Sequence, residues 1–144
     1  MNLVSFSCIL DTTDATFPLS MEILFNKKSI FSQQITQQVE FNHQFEDSDG
    51  QENQFEFVMT GKLPEHTVID DDGNIVSSPM LTIVNVKFEN IELGHVFLEK
   101  ATYYHNYNGS ADDIEDLFFG SMGCNGSVSF KFSTPLFLWL LENV

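Results

Sequence analysis

The chain has 144 residues, and its 21 acidic residues against six lysines and no arginine give a formal net charge of −15. Phosphate recognition needs a cationic face, so this balance excludes nucleic-acid binding and disfavours an anionic membrane surface as partner. Hydrophobic residues make up 42% of the chain and include 15 phenylalanines. That is enough for a packed core, so disorder is excluded as well.

Apolar and polar residues alternate through most of the chain, which is typical of β-strands that are buried on one face. This period of two predicts strands within residues 4–10, 21–25, 35–41, 55–59 and 128–132. Residues 80–88 carry apolar side chains on both faces and predict a central strand, and residues 96–104 predict a further long strand.

Four dipeptides that favour tight turns separate these strands: Asp49-Gly50, Asp72-Gly73, Asn108-Gly109 and Asn125-Gly126. Eight or nine short strands at this spacing predict a single all-β domain over residues 1–144. The expected architecture is a jelly-roll-like sandwich of two antiparallel sheets. The glycine-rich run 120–126 predicts a compact turn where backbones approach closely.

Two segments are candidates for helix, and in the second of them a strand is an equally open alternative. The acidic opening of residues 112–119 suits the start of a helix, so a single helical turn is expected there. In residues 135–142, Thr134 could cap a helix with Pro135 at its first position. The alternation of Leu136, Leu138 and Leu140 fits a strand instead, and we favour the strand.

All three tyrosines fall within five positions and predict a contact surface formed by Tyr103, Tyr104, His105 and Tyr107. A tyrosine ring takes the C–H groups of a sugar while amide and imidazole groups bond its hydroxyls. A tyrosine suits a protein interface equally well, because it joins apolar area to a polar tip. On a strand, neighbouring tyrosines point to opposite faces, so at least one of them is expected in the core.

The acidic run Asp70, Asp71 and Asp72 is a candidate calcium site, because calcium prefers several oxygen ligands at loop tips. The EF-hand pattern fails, since Val68 and Phe45 fall at its first ligand position when one counts back from Gly73 and Gly50. A solvated turn explains the same residues. No cofactor other than calcium is expected.

Nothing in the sequence carries a catalytic signature, and we predict that the protein is not an enzyme. No pair among the four histidines has the spacing of a zinc motif, and Cys8 and Cys124 are expected as buried thiols. The first ten residues lack the features of a secretory signal, and no apolar run is long enough to cross a bilayer. A cytoplasmic location is therefore expected.

Residues 60–144 resemble small proteins encoded by marine tailed phages, especially those of cyanobacteria. The matching pieces include Gly61-Lys62, His66-Thr67, Asp72-Gly73-Asn74-Ile75, Tyr104-His105, Asn108-Gly109, residues 119–126, Thr134-Pro135 and residues 139–142. The resemblance implies a phage context, with the host cytoplasm or the virion as location. It also implies a β-sandwich akin to carbohydrate-binding modules, and no catalytic residues.

Three candidate functions follow from these observations. The leading prediction is a non-enzymatic binding or assembly module with a protein partner or self-association, such as a structural component of a virion. The alternative is a glycan-binding module assisted by calcium at Asp70, Asp71 and Asp72. A protein that interacts with intracellular partners is a second alternative.

Overall fold

The computed structural model describes residues 2–109 and 111–144. Within them the chain forms strands, two α-helices and one 3-10 turn, Pro64–His66. The strands are β1 (Leu3–Thr12), β2 (Leu19–Phe25), β3 (Lys28–Ile35), β4 (Val39–Glu46), β5 (Gln51–Thr60), β6 (Val68–Ile69), β7 (Ile75–Ser77), β8 (Leu81–Phe88), β9 (Ile91–Glu92), β10 (Thr102–His105), β11 (Ile114–Leu117), β12 (Ser121–Met122) and β13 (Gly126–Thr134). The helices are α1 (His95–Lys100) and α2 (Leu136–Asn143).

The strands form two antiparallel sheets. A five-stranded sheet has the order β12-β8-β1-β4, with β9 also paired to β8, and a six-stranded sheet has the order β11-β10-β13-β5-β2-β3. Strands β6 and β7 form a separate two-stranded ribbon, and neither pairs with any other strand in the described part of the chain. The predicted all-β, jelly-roll-like sandwich is confirmed, and β8 lies inside its sheet as expected of residues 80–88.

Phenylalanine rings fill the space between the two sheets, because the alternation turns one face of each strand inward. Phe6 of the five-stranded sheet stacks on Phe55 of the six-stranded sheet, with ring centroids 4.2 Å apart. Phe88 and Phe132 also meet across the two sheets, with ring centroids 4.7 Å apart and ring planes tilted by 55°. Burial of a phenylalanine contributes about 1.5–3 kcal/mol, so this cluster is the main source of stability.

The strand predicted over residues 35–41 is wrong, because the chain changes sheets within it. Strand β3 ends at Ile35 in the six-stranded sheet, and β4 begins at Val39 in the five-stranded sheet. Ile35 and Phe41 are both buried, so the alternation persists across the crossing. A period of two in the sequence therefore does not distinguish one strand from two.

The long strand predicted over residues 96–104 is also wrong. Residues 95–100 form helix α1, and only Thr102–His105 are extended. Gly94, at a backbone φ of 54°, turns the chain into the helix. Val96 and Phe97 are the buried residues of α1, and the Phe97 ring packs 4.9 Å from that of Phe130. In this short helix the adjacent apolar residues Val96 and Phe97 are both buried on one side. In a strand they would point to opposite faces.

Residues 112–119 contain a strand and not the expected helical turn. Strand β11 pairs with β10 along its whole length, from Thr102 opposite Leu117 to His105 opposite Ile114. The backbone hydrogen bonds of the ladder replace those that a helical turn would have made. Since β11 is an edge strand with few buried side chains, its sequence shows little alternation.

Residues 136–143 form helix α2, so the preferred strand is wrong and the alternative helix is right. Its first backbone N–H, that of Leu136, donates to Asp47 Oδ1 at 2.7 Å. The expected cap from Thr134 is absent, since the Thr134 hydroxyl donates to the Gln51 carbonyl. Leu136, Trp139 and Leu140 lie on the buried face of the helix.

Candidate functional site

The predicted tyrosine cluster lies on β10 and the turn that follows it. Tyr103 points into the core and is 6% exposed, whereas Tyr104 points outward and is 38% exposed. Tyr107 lies in the turn at a backbone φ of 53° and is half exposed. The prediction that at least one tyrosine belongs to the core is confirmed, and the cluster is divided between two environments.

Tyr103 holds the loop before β13 and does not form part of an exposed contact surface, which corrects its predicted role. Its hydroxyl donates to the Cys124 carbonyl oxygen and accepts the Cys124 backbone N–H at 2.9 Å. Burial raises the pKa of this phenol to about 12. The neighbouring Cys124 thiol is half-buried, and Cys8 is fully buried; both are free thiols.

His105 is 9% exposed, so it too is largely withdrawn from the surface. Its ring packs between Tyr103 at 4.5 Å and Tyr107 at 4.8 Å. Its Nε2 lies 3.5 Å from Asp116 Oδ2 on the edge strand, and its Nδ1 accepts the Tyr107 backbone N–H at 3.4 Å. These contacts fix the turn after β10 against β11.

An open pocket of about 410 Å³ lies beside Tyr104, where β10, β11 and the start of β13 meet. We call it the Tyr104 pocket. The side chains and backbone that matter to its chemistry belong to Tyr104, Asn106, Asp113, Glu115, Asn125 and Gly126. They come from three separate segments of the chain, and the antiparallel register brings them together, with Tyr104 opposite Glu115 on β11 and Ser127 on β13.

Gly126 allows the close packing on which the pocket depends. A Cβ atom at this position would overlap the Tyr104 carbonyl oxygen and press on the Cβ of His105. Only glycine therefore lets β13 pair with β10 at this point. This confirms the close backbone approach that the glycine-rich run predicts.

The two amide side chains of the pocket are committed to holding its walls. Asn125 bonds both backbone groups of Lys62, accepting from its N–H at 3.0 Å and donating to its carbonyl at 2.9 Å. Asn106 Nδ2 donates to Asp113 Oδ1 at 3.1 Å, and Asn106 Oδ1 accepts the Gly109 N–H at 2.8 Å. The pocket is therefore already formed before a ligand enters.

Three polar groups remain open to a ligand. Within residues 2–109 and 111–144, no protein hydrogen bond engages the Glu115 carboxylate, the second oxygen of Asp113 or the Tyr104 hydroxyl. Carboxylate oxygens accept hydrogen bonds from hydroxyl groups, and the Tyr104 ring supplies an apolar surface beside them. Sequence reasoning missed Asp113 and Glu115 as partners of Tyr104, because it interpreted the acidic residues of 112–119 as the start of a helical turn.

The candidate calcium residues lie elsewhere, at the tip of the β6–β7 ribbon. Asp70 Oδ1 accepts the backbone N–H groups of Asp72 and Asn74, both at 2.9 Å, and so closes its own turn. Across the described part of the chain, no group of three or more His, Cys, Asp or Glu side chains is arranged to hold a metal ion. Calcium binding stays a prediction.

Comparison with known proteins gives one structural likeness. No protein-family model matches the sequence, and no curated protein matches it. The fold is similar to that of a solved structure described as vCBM60 in complex with galactobiose, with a TM-score of 0.53 and 9% sequence identity. The likeness covers 88% of this chain and 96% of that one.

The likeness defines the class of fold. The chain has a β-sandwich fold similar to that of a carbohydrate-binding module, as the sequence resemblance implies. The phage context stays a prediction. No helix in the described residues has the length and hydropathy needed to cross a membrane.

Proposed function

We propose that the protein is a non-catalytic carbohydrate-binding module and that the Tyr104 pocket holds its saccharide. One observation carries the proposal: a half-exposed tyrosine ring lies beside carboxylate oxygens that no described protein group engages, in an opening of about 410 Å³. A sugar offers matching chemistry, with C–H groups for the ring and hydroxyl donors for the carboxylates. The likeness to a structure that contains galactobiose supports this alternative above the assembly module that the sequence ranks first.

The arrangement suits binding without bond cleavage. The pocket is open, and the side-chain amides of Asn106 and Asn125 hydrogen-bond other protein groups in its walls. Its two carboxylates, Asp113 and Glu115, are exposed. The general acid of a glycoside hydrolase is usually a carboxyl group that its surroundings shield from water, whereas both carboxyl groups of this pocket are open to solvent. The glycan is therefore held and released unchanged.

A glycan array tests the proposal first, with calcium present and again with a chelator. Loss of binding in chelator would support a metal beside the sugar. Titration calorimetry with the best saccharide then compares the wild type with Tyr104→Ala, which we expect to weaken binding by about 10-fold or more, equivalent to about 1.4 kcal/mol. Tyr104→Phe keeps the ring and should retain most of the affinity.

Phe137→Ala is the matched control, because Phe137 is an exposed aromatic residue on α2. It should leave saccharide binding unchanged. A blank array from folded protein would refute the proposal for the sugars sampled. Equal binding by Tyr104→Ala and the wild type would show that the saccharide lies elsewhere.

A further inference from the structure

The β6–β7 ribbon exposes a concentration of branched aliphatic side chains. Val68, Ile69, Ile75 and Val76 are 44%, 59%, 67% and 64% exposed. Among the described residues each strand pairs with no strand but the other, so each also presents an unpaired backbone edge. A two-stranded ribbon is marginal in water by itself, and exposed edges and clustered apolar side chains mark interaction sites.

The ribbon is held firmly at its base. Thr67 and Ser78, which flank it, bring their hydroxyl oxygens to 3.1 Å. The Lys62 ammonium donates to Ser78 Oγ and to the Gly123 carbonyl, both at 2.6 Å, and Lys62 is only 5% exposed. A buried lysine thus ties the ribbon to the loop before β13.

The tip is preformed as well. Asp70 closes the turn through the N–H groups of Asp72 and Asn74, and Gly73 supplies the left-handed residue at a φ of 84°. Because both the base and the tip of the ribbon are already fixed, the ribbon loses little conformational entropy when a partner binds to it.

The charge of the ribbon indicates which kind of partner binds to it. The ribbon, residues 68–77, carries three aspartates and no cationic side chain. A second copy of the chain would bring a net charge of −15 and only six lysines, so like charges would repel. The complement is a surface with aliphatic side chains and a rim of lysine or arginine.

We propose that the ribbon is a docking element for a cationic protein partner that offers an exposed sheet edge. The partner's strand adds to a free edge of the ribbon, its aliphatic side chains cover Ile69 and Ile75, and its cations face Asp71 and Asp72 at the tip. Strand addition of this kind uses backbone hydrogen bonds for affinity and side chains for specificity. The surface is separate from the Tyr104 pocket, so the proposal stands independently of saccharide binding.

A labelled peptide of alternating valine and lysine, titrated with the full-length protein and followed by fluorescence anisotropy, is the direct test. We expect the peptide to bind. Two double variants should each weaken peptide binding by about 10-fold. One is Ile69→Ser with Ile75→Ser, and the other is Asp71→Asn with Asp72→Asn. Asp70 is left intact because it closes the turn. Circular dichroism and thermal unfolding check that each variant keeps the fold.

Matched controls alter the same chemistry elsewhere. Glu40→Gln with Glu46→Gln removes two exposed charges from β4, and Leu138→Ser with Leu141→Ser removes two exposed aliphatic side chains from α2. Both should change affinity by less than about 2-fold. A peptide of alternating serine and lysine should bind at least about 10-fold more weakly than the valine peptide.

Several results would overturn the proposal. The first is that the valine–lysine peptide does not bind, and the second is that the control variants lose as much affinity as the ribbon variants. The third is that the serine–lysine peptide binds as tightly as the valine–lysine peptide, which would mean nonspecific attraction of a cationic peptide to an acidic protein. A dimer of the wild type in sedimentation equilibrium that Ile69→Ser with Ile75→Ser abolishes would make a second copy the occupant. A saccharide that binds normally while the peptide fails would refute this proposal and leave the proposed function standing.

Discussion

Tyr103 shows how a single hydroxyl can hold the site together. It bonds both backbone groups of Cys124, and the next residue, Asn125, lines the Tyr104 pocket. Tyr103 and Tyr104 are neighbours of the same residue type, yet one supports the loop and the other faces the solvent. The alternation of side chains along β10 produces this division.

We expect Tyr103→Phe to lower the free energy of unfolding by about 1–3 kcal/mol at neutral pH, because it leaves the Cys124 groups without their partner. The effect should depend on pH. Burial raises the pKa of Tyr103 to about 12 from an ordinary value of 10.0. Above pH 10 the unfolded chain releases this proton while the folded chain keeps it, so the stabilisation declines as the pH rises through 12.

Urea unfolding of the wild type and Tyr103→Phe, at neutral pH and at about pH 11, measures this effect. The stability difference between the two proteins should narrow at the alkaline pH. Other alkaline titrations occur in both proteins and cancel in the difference. If the difference in the free energy of unfolding between the two proteins is the same at both pH values, the Tyr103 phenol does not titrate as a buried group.

At the scale of elements, helix α2 depends on contacts made far away in the sequence. Asp47, directly after β4, caps the first turn of α2, and the buried face of the helix packs on the phenylalanine cluster. Trp139 lies 5.8 Å from both Phe88 and Phe130, measured between ring centroids. The helix therefore covers one end of the core and joins the two sheets.

We expect Trp139→Ala to lower the free energy of unfolding by about 3–5 kcal/mol, the usual cost of removing a buried tryptophan side chain. Phe137→Ala, two residues earlier on the exposed face, should change it by no more than about 0.5 kcal/mol. Circular dichroism during denaturant unfolding is the measurement, since the variant lacks the only tryptophan. Equal effects of the two changes would mean that α2 does not pack as described.

At the scale of the whole molecule, the acidic charge is nearly uncompensated. Among the described residues, Lys27 and Glu56 form the one lysine–carboxylate pair, at 2.9 Å, and His105 approaches Asp116 at 3.5 Å. A net charge of −15 then acts mainly as self-repulsion within the compact state.

Screening should therefore stabilise the protein. Raising sodium chloride from about 0.02 M to about 0.3 M shortens the Debye length to below 10 Å. We expect the melting temperature to rise by about 2–8 °C, corresponding to about 1 kcal/mol. Glu40→Gln with Glu46→Gln should melt at a higher temperature in low salt and respond less to salt. A melting temperature that falls with salt would show that attractive ion pairs dominate.

The sequence by itself determined the class of fold. Alternation of apolar and polar residues is a local property, and it identified the faces of β1, β2, β5 and β13 and hence the two-sheet sandwich. Composition likewise predicts that nucleic acid is not a partner, and this prediction needs no structure because charge counts do not depend on how the chain folds.

Only the tertiary structure decided the rest, because the deciding contacts join residues that are distant along the chain. The cap from Asp47 and the packing of Trp139 made residues 136–143 a helix, although their local pattern fits a strand equally well. Pairing with β10 made Ile114–Leu117 a strand. The same pairing placed Glu115 opposite Tyr104, and so it formed the pocket that neither segment encodes alone.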